Sequence, residues 1–383
     1  AIPYLLMGDI DEAGTYLRKD AGHFDRLSIR LVRARAERID TGACRVTFSG
    51  GGAENYDRLL IATGSRPIKP PIPGIELPSV RTCWTLEDAR AIAAAAKPGS
   101  RVLQIGAGFI GCIILEALAS RGLDLTVVEM GDRMVPRMMT AAAGAMIRRW
   151  CEAKGVRVVT GARVESIEDC GSGNGAVRVK LSTGDEAEAD LVICAAGVRP
   201  NIEFLAGSGI RTGLGVLTDG RMQSSVPGIY AAGDVSAGAD FNTGEPVTHA
   251  IQPVAVDEAR VAALNMAGRA CASEGGLAMN VLDTLGLVST SFGQWAGTAD
   301  GQGVEEIDPE HYRYLSLQFS DDVLIGATSI GLTDHVGALR GLIQGRIRLG
   351  DWKRRLLRDP TRIMEAYLSG APAQDQWHKV RSR

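Results

Sequence analysis

Three glycines that directly follow an apolar stretch constrain this chain most. Residues 101–105 read Arg-Val-Leu-Gln-Ile, the glycines are Gly106, Gly108 and Gly111, and an apolar run continues almost to Arg121. The order predicts a strand, a tight turn and a helix, because Gly106 permits the turn, Gly108 admits a close ligand and Gly111 lets helix and strand pack closely. The start of such a helix offers free N–H groups and a positive dipole end, which bind phosphate.

A second predicted strand ends on an acid. The stretch Leu125-Thr-Val-Val-Glu129 places Glu129 about 18 residues beyond Gly111. A carboxylate there accepts hydrogen bonds from an adenosine ribose 2′-hydroxyl and repels a 2′-phosphate. Together with the helix-start residues Phe109 and Ile110, the segment predicts an NAD(H) site that favours NADH over NADPH.

Composition is that of an ordinary globular protein. The 383 residues are 45% hydrophobic and 23% charged, with a net charge of −3, which fits two to three domains and requires neither nucleic acid nor a membrane. No uncharged apolar run is long enough to span a bilayer. Seven scattered cysteines with no CxxC pair predict free thiols, a reducing cytoplasm and no metal site.

Apolar periodicity and turn residues predict the remaining elements. Strands are expected at 28–33, 43–47, 56–62, 156–160, 163–168, 176–181, 190–195, 229–234, 284–290, 312–319 and 323–330, with a turn at 171–175. Helices are expected at 86–96, about 139–154, 253–267, 334–344 and 351–368.

Four further motifs lie in order around the glycine fingerprint. They are Ala62-Thr63-Gly64, the stretch 195–201 that contains Gly197, Ala232-Gly233-Asp234, and the predicted helix of 252–268 that begins Gln252-Pro253. With residues 106–111 and Glu129, this set resembles the pyridine-nucleotide-disulfide oxidoreductase superfamily of two-dinucleotide flavoproteins. The similarity is strongest to NADH-dependent ferredoxin or rubredoxin reductases and to the flavoprotein part of NAD(P)H nitrite reductases.

The resemblance implies an α/β fold with two Rossmann-like dinucleotide-binding domains, the first incomplete, and a C-terminal α+β domain. The implied division is 1–83 and 204–272 for the FAD domain, 84–203 for the NAD domain, and 273–383 for an interface or dimerisation domain. The implied activity passes hydride from NADH to FAD and then electrons to an iron–sulfur protein or another redox partner. A homodimer is compatible with the resemblance.

The resemblance also assigns the flavin contacts, but no catalytic residue. Asp234 corresponds to the aspartate that binds the flavin ribityl chain, and the helix beginning Gln252-Pro253 corresponds to the one facing the flavin pyrimidine ring. The remaining implied cofactor-binding residues are Ala62, Thr63, Gly64, Gly197 and Gly233. For Arg199 a phosphate contact competes with a surface salt bridge, and for His249 proton transfer competes with a structural role.

The chain departs from the family pattern in four respects. The family's first glycine fingerprint, which holds the FAD pyrophosphate, has no counterpart before Ala62, and no cysteine pair of the family type is present. Ile113 stands where members place a glutamate near the nicotinamide, with Glu116 one turn further on. The C-terminal His-Pro motif is also missing, which argues against dithiol chemistry. The alternative function is therefore a flavin-free nucleotide-binding or assembly subunit of a redox complex.

The chain contains a basic stretch near its carboxyl end. Seven cationic residues between Arg340 and Arg358 are opposed by Asp351 alone. Such a surface attracts acidic electron-transfer proteins such as ferredoxins, although a solvated helix face is the competing interpretation.

Overall fold

The computed structural model describes residues 1–18, 20–171 and 175–370. They form two compact units, and the chain passes between them several times. Unit 1 comprises Ala1–Asp9, Pro67–Gly197 and the residues from Ala278 onward, and unit 2 comprises Ile10–Arg66 and Val198–Leu277. Residues beyond 277 thus group with the segment that contains the glycine fingerprint, and the four-part domain division stays a prediction.

Elements are numbered in chain order. The helices are α1 (Ile2–Met7), α2 (His23–Arg26), α3 (Leu86–Ala95), α4 (Phe109–Ala119), α5 (Ala141–Ala153), α6 (Gln252–Met266), α7 (Val336–Gln344) and α8 (Asp351–Leu356), with short 3₁₀ turns at Ala13–Thr15 and Glu203–Leu205. The strands are β1 (Ala36–Asp40), β2 (Arg45–Phe48), β3 (Ala53–Asn55), β4 (Leu59–Ile61), β5 (Ser65–Pro67), β6 (Val80–Arg81), β7 (Arg101–Ile105), β8 (Asp124–Glu129), β9 (Arg157–Thr160), β10 (Val164–Asp169), β11 (Val177–Leu181), β12 (Glu186–Ala189), β13 (Leu191–Cys194), β14 (Val198–Pro200), β15 (Val216–Leu217), β16 (Ile229–Ala231), β17 (Ser236–Ala239), β18 (Pro246–Val247), β19 (Met279–Thr284), β20 (Leu287–Gly293), β21 (Gln302–Asp308), β22 (Arg313–Ser320) and β23 (Val323–Ile330).

A five-stranded parallel sheet forms the centre of unit 1. Its order is β6-β13-β7-β8-β9, and α4 connects the neighbouring strands β7 and β8. Buried apolar residues run along both strands and along α4, including Val102, Leu103, Val127, Leu115 and Leu118. Parallel strands covered by helices need such continuous apolar runs. The predicted strand–turn–helix–strand unit is confirmed.

The second sheet of unit 1 is antiparallel, with the order β19-β20-β23-β22-β21, and α7 packs on β20 and β23. The predicted strand at 284–290 is confirmed for residues 287–290, which lie in β20, but its start is wrong. Leu285 and Gly286 form the turn of the β19–β20 hairpin, with φ values of +55° and +86°. Positive φ at both turn positions suits the right-handed twist of paired strands. The Asp283 side chain accepts the Gly286 N–H at 2.8 Å and fixes the turn.

Unit 2 contains a short parallel pair, β4 with β16, on which α6 packs. An antiparallel sheet of β1, β2 and β3 and a sheet of β15, β17 and β18 accompany it. Its core includes Ile39, Ile61, Leu205, Val216 and Ala231. A second short parallel pair, β15 with β17, lies in the last of these sheets.

Two other sequence predictions are wrong. Residues 28–33 form no strand, because they are exposed and join no ladder among the described residues. The predicted helix at 351–368 is interrupted, since α8 ends at Leu356 and helical residues resume only at 363. Pro360 lies in the gap, and proline cannot donate the backbone hydrogen bond that a helix needs. Of the predicted turn at 171–175, residues 172–174 lie outside the described part.

Candidate functional site

The glycine turn after β7 is built as the sequence predicts. Gly106 has a φ of +100°, and a side chain there would place Cβ 2.5 Å from the Ala195 carbonyl oxygen. A Cβ on Gly111 would lie 2.4 Å from the Gly106 carbonyl oxygen. Both distances are too short for any real Cβ contact, so these glycines are required for close packing.

Gly108 serves a different purpose. Its φ of −76° suits any residue, and a Cβ added there would meet nothing within 4 Å. It is the N-cap of α4 and provides no side-chain oxygen, so the first N–H groups of the helix, including those of Phe109 and Ile110, receive no side-chain cap. Open space in front of uncapped helical N–H groups fits an anionic pyrophosphate.

Glu129 performs a structural task that the sequence does not reveal. Its side chain is 9% exposed, one oxygen accepts the Ala107 N–H at 2.7 Å, and the other accepts the Gly131 N–H at 2.7 Å. The carboxylate therefore ties the glycine turn to the end of β8. Each carboxylate oxygen has a second lone pair, so both remain able to accept a ribose hydroxyl. The next residue, Met130, is exposed and uncharged.

Glu116 faces away from the glycine turn, toward the β19–β20 hairpin. Burial raises the pKa of its carboxyl group, the nearby Asp283 carboxyl raises it further, and the Leu285 backbone N–H opposes the shift. Because its side chain is engaged with this hairpin, Glu116 is no replacement for the family's glutamate at Ile113.

In unit 2 the pairing of β4 with β16 joins two distant motifs. Leu59, Leu60 and Ile61 lie opposite Ile229, Tyr230 and Ala231 in parallel register. The carboxyl ends of parallel strands lie at the same edge, so Ala62-Thr63-Gly64 and Ala232-Gly233-Asp234 emerge side by side. The Ala232 N–H donates to the Ile61 carbonyl oxygen at 3.1 Å, and the Ser65 hydroxyl donates to the Asp234 carboxylate at 2.6 Å.

Asn201, at the end of the return stretch 195–201, contacts the same edge of unit 2. The Asn201 side-chain amide donates to the Thr63 carbonyl oxygen at 2.9 Å, and the Thr63 hydroxyl donates to the Asn201 carbonyl oxygen at 3.0 Å. Gly197, at the last position of the long unit 1 segment, has a φ of +107° and accepts the Ile68 N–H through its carbonyl oxygen at 2.9 Å. Arg199 is exposed on β14.

Helix α6 begins with an open amino end. Its N-cap, Ile251, provides no side-chain acceptor, and Gln252 and Pro253 are exposed in its first turn. Just upstream, the His249 ring nitrogen Nε2 lies 3.1 Å from an Asp240 carboxylate oxygen, and both side chains are largely buried. Burial alone would raise the pKa of Asp240, but its hydrogen bonds with His249, Thr243 and Asn242 outweigh burial and lower it. This pair fixes the loop that leads into α6.

The buried thiols are unsuited to nucleophilic chemistry. Cys83, Cys112, Cys151 and Cys194 are buried, and burial raises the pKa of each thiol, to about 12 for Cys83 and Cys151. The reactive form of cysteine is the thiolate, which such pKa values suppress at neutral pH. Within residues 1–18, 20–171 and 175–370, no three His, Cys, Asp or Glu side chains gather as a metal ion would need.

The basic stretch near the carboxyl end is partly engaged in local contacts. The Arg354 guanidinium lies 2.5 Å from the Asp351 carboxylate, Arg355 stacks over the Trp352 ring at 4.7 Å, and Lys353 donates to the Asp321 carbonyl oxygen. Six arginines of this stretch are nevertheless exposed on unit 1, namely Arg340, Arg346, Arg348, Arg354, Arg355 and Arg358.

Comparison with protein-family models decides the classification. Residues 6–258 match the model described as pyridine nucleotide-disulphide oxidoreductase. The chain belongs to this family. The pyridine nucleotide-disulphide oxidoreductases are NAD(P)H-dependent flavoproteins, so the predicted superfamily, enzyme class and cofactor pair of FAD and NAD(H) are confirmed for the family.

Three relatives illustrate the range within this oxidoreductase family. The chain is 30% identical to the epsilon subunit of NADH-dependent phenylglyoxylate dehydrogenase of Aromatoleum evansii, over 96% of this chain and 87% of that subunit. It is 33% identical to the ferredoxin–NAD(+) reductase component of the biphenyl dioxygenase system of Paraburkholderia xenovorans, over 55% of this chain. That match spans about half of the reductase, 51% of its length. Among solved structures, the NAD-dependent persulfide reductase of A. fulgidus has a TM-score of 0.82 at 28% identity, over 91% of this chain and 70% of that one.

These similarities bear on the fold and on the predicted sites. The α/β class with a sheet-rich C-terminal part is confirmed. Relatives include reductases named for iron–sulfur partners, as the resemblance implied. The described part of the chain contains no helix long and apolar enough to cross a membrane. Ser65 and Glu258 join the candidate flavin residues through contacts that no sequence motif indicated.

Proposed function

We propose that this chain is an NADH-dependent flavoprotein oxidoreductase that delivers electrons to an iron–sulfur protein. The observation that carries the proposal is the glycine turn after β7 in unit 1. It leaves open space at Gly108 and is held by Glu129, the last residue of β8. The paired motifs at the β4 and β16 ends of unit 2 support a second, flavin-binding half-site.

The NADH contacts follow from the fingerprint. The backbone N–H groups at Phe109 and Ile110 bind the pyrophosphate at the start of α4, where the helix dipole is positive. Glu129 accepts the adenosine ribose hydroxyl and disfavours a 2′-phosphate. Gly106 and Gly111 keep the turn in this conformation, because a side chain at either position would displace it.

The flavin contacts come from unit 2. Asp234 holds the ribityl chain, Thr63 and Gly64 line the adjoining strand end, and Gln252 and Pro253 present the open amino end of α6 to the pyrimidine ring. When bound, a flavin accepts hydride and releases electrons one at a time, which suits an iron–sulfur acceptor. The positive end of α6 stabilises negative charge on such a ring.

The acceptor is proposed to be an acidic iron–sulfur protein that docks on the cationic surface between Arg340 and Arg358. Six exposed arginines in this stretch of unit 1 support this choice through charge complementarity. Four of the seven thiols are buried and have pKa values that burial raises, which disfavours these four as partners for a disulfide substrate.

A second candidate function is a subunit of a larger redox enzyme. The observation favouring it is the similarity, over 96% of the chain, to a dehydrogenase subunit. In its flavin-free form this candidate binds NADH and organises a complex without accepting hydride. For the flavoprotein we also propose a homodimer and the four-part domain division. A cytoplasmic location is proposed as well, and the free cysteines of the described residues support it.

One experiment separates the two candidates. The purified chain is incubated with FAD, freed of excess flavin and examined for absorbance near about 450 nm, a property of oxidised flavin. Bleaching of this band by NADH under anaerobic conditions supports the flavoprotein. A colourless chain that still binds NADH refutes the flavoprotein and favours the assembly subunit. A Gly108→Val variant provides the control, because a branched side chain there occupies the space in front of α4 and should abolish bleaching while leaving the flavin band.

A further inference from the structure

A buried carboxylate lies beside the candidate flavin site without being part of any motif. Glu258, in the second turn of α6, is 6% exposed. Its oxygen Oε2 accepts the Gly233 N–H at 2.8 Å and the Ser236 hydroxyl at 2.6 Å. A buried carboxylate is costly unless it is hydrogen-bonded, and both of these bonds go to a single short segment.

That segment is the turn that carries Asp234. Gly233 has a φ of +79°, and the Ser236 N–H donates to the Gly233 carbonyl oxygen at 2.8 Å, which closes a four-residue turn. Asp234 is the second residue of this turn. Glu258 therefore clamps the first residue through its backbone and the fourth through its side chain. The Ser65 hydroxyl then fixes the Asp234 carboxylate at 2.6 Å from the other side.

The Glu258 carboxylate lies close to that of Asp234, and the groups around it act in opposite directions on its pKa. Burial raises the pKa of Glu258, and the charge of Asp234 adds to this shift. The bonds from Ser236 and Gly233 oppose it, as does His249, which is itself paired with Asp240. An apolar residue at this position would avoid the desolvation cost, but it would leave the Gly233 N–H and the Ser236 hydroxyl without this acceptor.

We propose that Glu258 is a positioning residue that holds the Gly233–Ser236 turn so that Asp234 faces the ribityl hydroxyls of FAD. The proposal rests on the proposed flavoprotein function. Glu258 acts entirely through the turn and makes no contact with the flavin itself. Its importance lies in its two hydrogen bonds, and an uncharged acceptor of the same shape should serve in its place.

The test compares FAD affinity among variants of the full chain, measured by quenching of flavin fluorescence. Glu258→Met removes the oxygen that accepts both hydrogen bonds, at similar volume, and is expected to weaken FAD binding about tenfold or more. Glu258→Gln keeps an acceptor for Gly233 and a polar partner for Ser236, so its affinity should stay within about threefold of the native chain. Asp257→Asn, an exposed neighbour on α6, is the matched control and should change nothing.

A double-mutant cycle separates positioning from general stability. In an Asp234→Ala background, Glu258→Met should weaken FAD binding no further, because Glu258 acts through Asp234. Hydrogen exchange of the Gly233 amide in the flavin-free chain supplies a second readout. Protection should persist in Glu258→Gln and be lost in Glu258→Met. If Glu258→Met does not fold, Ser236→Ala removes one of the two bonds and should weaken FAD binding about threefold.

The outcomes are distinct. Native FAD affinity in a folded Glu258→Met variant overturns the positioning role and leaves the flavoprotein function standing. Losses that add in the Asp234→Ala background also overturn it, since they show that Glu258 acts independently of Asp234. A native chain that binds no FAD at any concentration refutes the flavoprotein function and this proposal together.

Discussion

Replacing Glu129 by glutamine is expected to raise the use of NADPH relative to NADH. In the proposed NADH site the native carboxylate is next to the position of a 2′-phosphate, and its two oxygens accept the Ala107 and Gly131 N–H groups at 2.7 Å. Glutamine removes the negative charge but keeps one carbonyl oxygen. It therefore separates the electrostatic discrimination from the anchoring of the glycine turn, which alanine would abolish entirely.

The magnitude follows from distance and burial. Two unit charges about 4 Å apart interact by about 1 kcal/mol in bulk water and about 4 kcal/mol near a protein surface. Glu129 is 9% exposed but borders an open surface, so a value of about 1–3 kcal/mol applies. This corresponds to roughly 5- to 150-fold preference for NADH. The amide N–H₂ also leaves one turn N–H without an acceptor, at a cost of about 1–3 kcal/mol that affects both cofactors alike.

The assay is kcat/KM for NADH and for NADPH with a small neutral dye as acceptor. The informative quantity is the ratio of the two values, because the shared cost to the turn cancels in it. Asp132→Asn is the control, since it removes an exposed acid three residues further on, which pairs with Arg133 at 2.7 Å. Equal efficiency of the native chain with both cofactors would refute the reasoning, as would an unchanged ratio in Glu129→Gln.

Three other perturbations have definite expected results. Gly111→Ala should destabilise the chain by about 1–3 kcal/mol in urea unfolding, because its Cβ would lie 2.4 Å from the Gly106 carbonyl oxygen. Gly108→Ala should unfold like the native chain but bind NADH more weakly, and equal unfolding midpoints for the two variants would contradict the packing argument. The 383-residue polypeptide should bind FAD sub-stoichiometrically after purification, because its described residues ahead of β1 form no strand–glycine–helix unit for the pyrophosphate. Grafting a family-type unit should restore loading, and full loading of the 383-residue polypeptide would contradict this. Reversing Arg354 and Arg355 to glutamate should slow the reduction of an acidic iron–sulfur protein, and added salt should slow the same reaction of the native chain. Reduction of a small dye should be unchanged, and Arg38→Glu should have no effect on either reaction. Partner reduction that does not depend on salt would show that the basic stretch is only a solvated face.

The fingerprint of unit 1 could be predicted in detail because its determinants are local. Gly106 sets the turn through its own positive φ, Gly111 meets the Gly106 carbonyl oxygen five residues earlier, and the apolar run of β7 is continuous, as burial on both faces demands. The contact between Gly106 and the Ala195 carbonyl oxygen is the exception, because these residues are far apart in the sequence. The errors arose where one residue overrides a pattern. Asp283 and the positive φ at Leu285 turn the chain inside a β-like run, and Pro360 divides a helix-like one.

The flavin half-site was predictable as motifs but not as contacts. Nothing near Glu258 in sequence indicates its role, because Gly233 and Ser236 lie more than twenty residues earlier and are recognised only once β16 and α6 pack together. Likewise, Glu129 reads as a ribose ligand in sequence, and its hold on Ala107 emerges only from the fold. Long-range hydrogen bonds of single polar side chains leave no periodic signal.

The register between β4 and β16 has a consequence for synthesis of the chain. Leu59 pairs with Ile229, so about 170 residues must be made after the first strand before its partner exists. At translation rates of about 5–20 residues per second, this takes roughly ten to thirty seconds. During that interval the backbone hydrogen-bonding groups at the edge of β4 have no partner strand. The parallel sheet of unit 1 lies entirely within the intervening segment, so all its strands are made before β16. The nascent chain is thus expected to acquire its NADH-binding sheet first and to need protection of the earlier strand, for which ribosome-associated chaperones are the natural agents.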